Sequence, residues 1–169
     1  NYDANTSDFL RAFYYCQELP TDESICAWND PGVPDFHNLA WVSTNPVLGG
    51  MYNRSIYQID VANAFLRQTA ADTVANGNFS ASDADSVKVY RAETRFLRAY
   101  QYWVLMDLFG NPPFTDETSS VGSTNPKQIQ RADLFKYVES ELLAIQNDLM
   151  PAGKNEYARA HQGADWTLL

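Results

Sequence analysis

The sequence predicts an all-α fold of long antiparallel helices, on three observations. Apolar residues recur at three- and four-residue spacing in five segments, no segment alternates like a half-buried strand, and all eight prolines fall between the five segments. The 169 residues are enough for one domain, and 45% apolar with 14% aromatic content supplies a core.

The first helix is expected near Asn5 to Tyr15, on Phe9, Leu10, Phe13 and Tyr14, with Thr6 or Ser7 as N-cap. Periodicity then disappears from Gln17 to Gly50. Pro20, Pro31, Pro34 and Pro46, with Gly32, Gly49 and Gly50, make this a long ordered loop between the first two helices. Loops of that length in compact domains usually carry function. A second helix is expected from Met51 to about Val74, on Tyr52, Ile56, Ile59, Ala62, Phe65 and Leu66, stopping at Asn76-Gly77.

The third helix starts near Ser82, capped by Ser82 or Asp83, with Asp83 and Asp85 at its positive end. It runs through Val89, Phe96, Ala99, Tyr100, Trp103, Val104, Met106 and Leu108 to Phe109, where Gly110 and Pro112-Pro113 stop it. At ~1.5 Å per residue it extends about 40 Å. It is apolar over most of its circumference, so neighbours are expected on several sides. A Ser/Thr/Pro/Gly-rich connector, Thr115 to Pro126, leads to a fourth helix over Arg131 to Leu149, striped by Leu134, Phe135, Val138, Leu142, Ile145 and Leu149. Pro151 and Gly153 end it. Ala158 to Leu169 reads as a fifth helix interrupted in mid-pattern, so residues 1-169 are expected to be part of something longer. The 34-residue self-similarity of tetratricopeptide repeats is not found.

A formal charge of -9 opposes a phosphate-rich partner, so no nucleic acid partner is expected. An anionic membrane surface is disfavoured for the same reason. No apolar run is long enough to span a bilayer. Cys16 and Cys26 fit either one bridge closing a short loop or two buried thiols.

No metal-binding, phosphate-loop or nucleophile-turn motif occurs, and neither a metal nor a cofactor is expected. His37 and His161 lie far apart and read as surface or packing residues. Hydrolysis of a glycosidic bond needs two carboxyl groups facing each other about 5 to 10 Å apart. Asp22, Glu23, Asp30 and Asp35 sit in the long loop, in a setting that would not raise a carboxyl pKa, and no enzyme is expected.

The loop is the richest place for ligand contacts, holding Trp28, Asn29, Asp30 and Trp41, with Arg11 on the helix before it. A sugar offers an apolar C–H face to a flat ring and a rim of hydroxyls to Arg, Asn and Asp. Burying ~100 Å² of apolar sugar and ring surface contributes about 2 to 3 kcal/mol, so useful affinity needs several rings or several sites. A loop tryptophan also fits a core plug. On this chemistry all five are candidates, of which the family resemblance below singles out Arg11, Trp28 and Asn29 as the candidate ligand-binding residues.

Several strings together resemble the SusD/RagB family of outer-membrane glycan-binding lipoproteins. Arg91-Ala-Glu-Thr-Arg-Phe-Leu-Arg-Ala-Tyr-Gln-Tyr-Trp103 through Asp107-Leu-Phe-Gly-Asn-Pro-Pro-Phe114 is similar to that family's long helix and its stop. Tyr57-Gln-Ile-Asp-Val-Ala-Asn63 resembles the preceding helix, and Tyr157-Ala-Arg-Ala-His-Gln-Gly-Ala164 the helix opening the next pair. Phe9-Leu-Arg-Ala-Phe-Tyr-Tyr-Cys-Gln-Glu-Leu-Pro-Thr-Asp-Glu23, with Ala27-Trp28, resembles the family's starch-binding archetype. The archetype has a further tryptophan where this chain has Cys26, and a sugar-contacting asparagine where it has Pro31. Asn29 would replace that asparagine only by a local shift.

The resemblance implies a tetratricopeptide-like helical scaffold whose full length is near three times this one. It implies non-catalytic capture of an oligosaccharide, an α-glucan being favoured, at the surface of the outer membrane by a lipid-anchored protein. Arg11 would hydrogen-bond sugar hydroxyls and Trp28 would stack. The implied partner is a SusC-like TonB-dependent transporter that receives the sugar. The rival expectation is a helical-repeat scaffold whose aromatics are all core and which docks a protein.

Overall fold

The computed structural model describes residues 8–77, 79–122, 125–154 and 159–169. These form seven helices: α1 (Phe9–Glu18), α2 (Val33–His37), α3 (Pro46–Gln68), α4 (Ala71–Asn76), α5 (Ala81–Phe109), α6 (Arg131–Ile145) and α7 (Gln162–Leu168). Among the described residues the only β pairing is two isolated bridges, Pro113 with Gln128 and Met150 with His161. The all-α class expected from the periodicity is the class observed. The chain divides into two compact units, Asn1–Ile56 and Tyr57–Leu169, with the boundary inside α3.

In the first unit, α1 starts four residues and ends three residues later than expected. Its cap is Asp8, whose carboxylate accepts from the Leu10 amide at 3.1 Å. Thr6 and Ser7, the expected caps, lie outside the described residues. Ala12 and Tyr15 are buried on this helix, with Leu19 just beyond it.

The segment expected to be loop up to Gly50 is shorter and partly helical. Gly32 has a φ of +83°, and a Cβ there would sit 2.8 Å from both the Asn45 amide nitrogen and Pro46 Cδ, so only glycine fits. The one-turn α2 follows and buries Val33 and Phe36. Asn45 then decides where α3 begins. Its Oδ1 accepts from the amides of Val47 at 3.0 Å and Leu48 at 3.3 Å, while its Nδ2 donates to Gly32 O at 2.8 Å and Asp35 Oδ2 at 2.9 Å. Pro46, read as a breaker, occupies the first helical position, where its missing N–H costs nothing. Gly49 and Gly50 are therefore helical.

In the second unit, the helix expected to run to Val74 breaks after Gln68. Arg91 Nη1 donates to Leu66 O at 2.6 Å and Thr69 Oγ1 at 2.8 Å. It takes the carbonyl that a continuing helix would have used, and α4 restarts from an extended Ala70. For α5 the cap is Ser80 rather than Ser82 or Asp83, with Ser80 and Asp83 in a reciprocal capping box. Gly110, at φ +73°, ends α5 as expected, its N–H bonding Met106 O at 3.1 Å.

From Arg98 to Met106 every α5 residue except the half-buried Tyr100 and Trp103 is buried, matching the prediction of cover on several sides. Helix α6 packs against α5 through Leu134, Val138, Leu142 and Ile145. It ends at Ile145 rather than Leu149, and Phe135, assigned to its stripe, is exposed. Leu149 is still buried, in a cluster with Ala92 and Ile145. The last helix starts at Gln162, where the His161 ring nitrogen accepts from the Ala164 amide at 3.3 Å. Ala158, its expected start, lies outside the described residues, as does Tyr157.

A polar lock crosses this unit. The Arg98 side chain is 1% exposed and donates to Asn63 Oδ1 at 2.7 Å, to Glu141 Oε2 at 2.8 Å and to Glu117. Arg95 holds the same Glu141 through two further bonds, at 2.7 and 3.1 Å. Despite burial, which alone would raise it, the Glu141 carboxyl is held below its ordinary range by these two guanidinium groups. Tyr102 donates to Thr115 O at 2.6 Å and accepts from the Thr115 amide at 2.9 Å, pinning the connector to α5.

Candidate functional site

Helical spacing places Arg11, Tyr15 and Leu19 in one row of α1 and its continuation, with Tyr14 beside Arg11 at i+3. After α1 the chain turns sharply. Thr21 Oγ1 donates to Glu18 O at 2.6 Å and accepts from the Glu23 amide at 3.2 Å. The turn brings Ser24 to Trp28 back along that row. Between them lies a cleft of about 270 Å³ lined by Arg11, Tyr14, Tyr15, Leu19, Ser24, Ile25, Cys26 and Trp28.

Leu19 and Tyr15 are its buried base, at 1% and 4% exposure. Trp28 stands at its edge, 59% exposed, with the guanidinium carbon of Arg11 over its ring at 5.7 Å from the centroid. At an exposed site such a pair contributes about 0.5 to 1 kcal/mol and holds both groups in place. The guanidinium covers one face of the indole. Tyr14 OH and Ser24 Oγ share a hydrogen bond of 2.6 Å.

Of the three candidate residues, two are brought together. Arg11 and Trp28 share one cleft, and the indole is not a core plug. Asn29 is exposed and does not line the cleft. Trp41, the other loop tryptophan, stacks on Phe36 with centroids 5.9 Å apart and does not line it either. Both cysteines are free, and Cys26 is a cleft residue. Burial pushes the Cys16 thiol up to about 12. Sequence reasoning missed Tyr14, Ser24 and Ile25. Tyr14 had been assigned to the packing stripe of α1, although its i+3 relation to Arg11 places it on the same side.

Desolvation, and then the neighbouring Cys26 thiol, raise the Tyr15 phenol above its ordinary range, so it is neutral at physiological pH. Arg11 is the cleft's cation, and no carboxylate is among its described lining residues, so those residues supply no two-carboxylate hydrolytic pair. Among the described residues no group of His, Cys, Asp and Glu is placed to hold a metal ion. No described helix is long and apolar enough to cross a membrane.

No family model matches the chain. Over 167 residues, 98% of its length, it is 34% identical to the starch-binding protein SusD of Bacteroides thetaiotaomicron, and it spans 28% of that protein. Its fold matches a laminarin-binding SusD-like protein with a TM-score of 0.73 at 17% identity, covering 99% of this chain and 39% of that one. It matches a structure solved with xylogluco-oligosaccharide with a TM-score of 0.67 at 18% identity, covering 98% and 32%. Over nearly its whole length the chain is thus similar in sequence to SusD and in fold to SusD-like proteins, while spanning about a third of the length of these relatives.

Proposed function

We propose that this chain contributes to non-catalytic capture of a glycan, through the cleft between α1 and the Ser24–Trp28 segment. The observation that carries the reading is the exposed indole of Trp28 beside Arg11, in a cleft whose described lining has no carboxylate. The free face of the ring meets the apolar side of a sugar, and the guanidinium edge meets its hydroxyls. Identity to a starch-binding protein supports an α-glucan, such as a malto-oligosaccharide, as the ligand. The parent protein is a lipid-anchored protein of the outer-membrane surface in this reading. Its N-terminal helical part is residues 1-169, and it passes the sugar to a SusC-like TonB-dependent transporter.

Isothermal titration of the protein and its Trp28→Ala variant with maltoheptaose, laminarihexaose and a xyloglucan heptasaccharide tests this. Binding of maltoheptaose, weakened about tenfold or more by loss of the ring, is expected from ~2 kcal/mol of stacking. No binding of any of the three contradicts the glycan reading. Binding that Trp28→Ala leaves intact contradicts the assignment of the site.

A further inference from the structure

We infer that Tyr14 is a second sugar-stacking ring of the same cleft, so that its ligand is a chain of at least two sugar units rather than a single one; this rests on the glycan reading above. Three observations lead there. Tyr14 is 45% exposed although it sits on α1 next to the buried Tyr15, which is 4% exposed. Tyr15 fills the base of the cleft, and Tyr14 is a wall. Secondly, the Tyr14 ring is fixed on the cleft side without being buried. Its hydroxyl bonds Ser24 Oγ at 2.6 Å, and its ring meets the Tyr15 ring edge-on, with centroids 6.3 Å apart and planes at 60°. A half-exposed ring held at both ends has already given up rotamer freedom, so less is lost when a ligand stacks on it.

Thirdly, the size and openness of the cleft suit a chain. About 270 Å³ is slightly below the ~300 to 1,000 Å³ of pockets that enclose a drug-sized ligand. Its lip is apolar and open, since Ile25 and Trp28 are 69% and 59% exposed. Arg11 occupies one face of Trp28, which leaves that indole one face for sugar. A single stacked unit then binds weakly, and a second ring lining the same cleft is what turns it into a grip on an oligosaccharide. Ser24 acts as the positioning residue for that ring.

The test uses Tyr14→Ala, Tyr14→Phe, Ser24→Ala and Trp28→Ala, titrated calorimetrically with glucose, maltotriose and maltoheptaose, and with laminarihexaose and a xyloglucan heptasaccharide. Thermal melts of each variant check the fold. The expected result is that Tyr14→Ala weakens oligosaccharide binding tenfold or more at an unchanged melting temperature. Tyr14→Phe, which keeps the ring, stays within about threefold of wild type. Ser24→Ala, which breaks the same hydrogen bond as Tyr14→Phe, matches it, and glucose binds each form too weakly to distinguish them. If Trp28→Ala abolishes binding while Tyr14→Ala leaves it within twofold, the second ring is refuted and the glycan reading stands. If a Tyr14→Ala loss is matched by Tyr14→Phe, the hydroxyl is the contact and the stacking role is refuted. If none of the sugars binds wild type, both readings fall together.

Discussion

Replacing Arg98 with Met tests how the second unit is held. The substitution keeps a long apolar stem and removes the guanidinium, whose side chain is 1% exposed. Asn63, itself 2% exposed, loses the donor at 2.7 Å to its side-chain oxygen. Leaving a buried acceptor unpaired costs about 1 to 3 kcal/mol. Glu141 keeps its two bonds from Arg95 but loses a third, at 2.8 Å. Glu117, about a third exposed, can turn to water. Removing one side of a buried ion pair costs about 3 to 5 kcal/mol, and the remaining Arg95 partner places this case at the lower end, near ~3 kcal/mol. For a chain of this size that corresponds to a melting temperature about 10 °C lower.

Arg98→Lys is expected to recover less than half of the loss, because one ammonium cannot reach three acceptors in a plane. Urea unfolding followed by far-ultraviolet circular dichroism measures both variants. A loss under about 1 kcal/mol for Arg98→Met, at unchanged dependence on denaturant, would refute the view that this cluster ties α3, α5, α6 and the connector together.

Two further outcomes follow from buried groups. Neither carboxylate oxygen of Asp165 has a partner among the described residues, and burial pushes this carboxyl up to about 6. The folded protein therefore keeps a proton that the unfolded chain releases near pH 4. The associated stability is complete below about pH 4 and is lost as pH rises through about 6. Asp165→Asn should gain on the order of 2 kcal/mol over wild type at pH 7.5 and nothing at pH 4, in paired urea titrations. A gain independent of pH would show that charge is not the cause. The raised Cys16 thiol should also resist alkylation by iodoacetamide at pH 8 in the folded protein and react once urea unfolds it, as read by intact mass. Rapid labelling before unfolding would contradict its burial.

What the sequence made legible was local. The presence of α1, α5 and α6 depends on residues three and four apart, and the Gly110 stop on one residue's backbone freedom. The face α1 buries, however, is Ala12 and Tyr15, while Leu10 and Tyr14 of its expected stripe are exposed. What it hid was distant. The start of α3 depends on Asn45 reaching back to Gly32, and the break after Gln68 on Arg91, 25 residues downstream of the carbonyl it captures. Arg98 interrupts an apolar helix with no local reason, because its partners lie 19, 35 and 43 residues away. The site divides in the same way. Arg11 and Trp28 could be paired from the family strings, whereas Asn29, next to Trp28 in the chain, does not line the cleft. Tyr14 looked like packing because helical spacing says which side a residue takes and not whether something covers it.

The central claim is that the Trp28 ring is an open surface that carbohydrate covers. Iodide quenching reads this directly, as the difference between wild type and Trp28→Phe, which cancels the signals of Trp41, Trp103 and Trp166. The account predicts a strongly quenched Trp28 component, in keeping with 59% exposure, that saturating maltoheptaose protects. A quenched Trp28 component that stays equally accessible in maltoheptaose, under conditions where calorimetry shows the sugar bound, would contradict it.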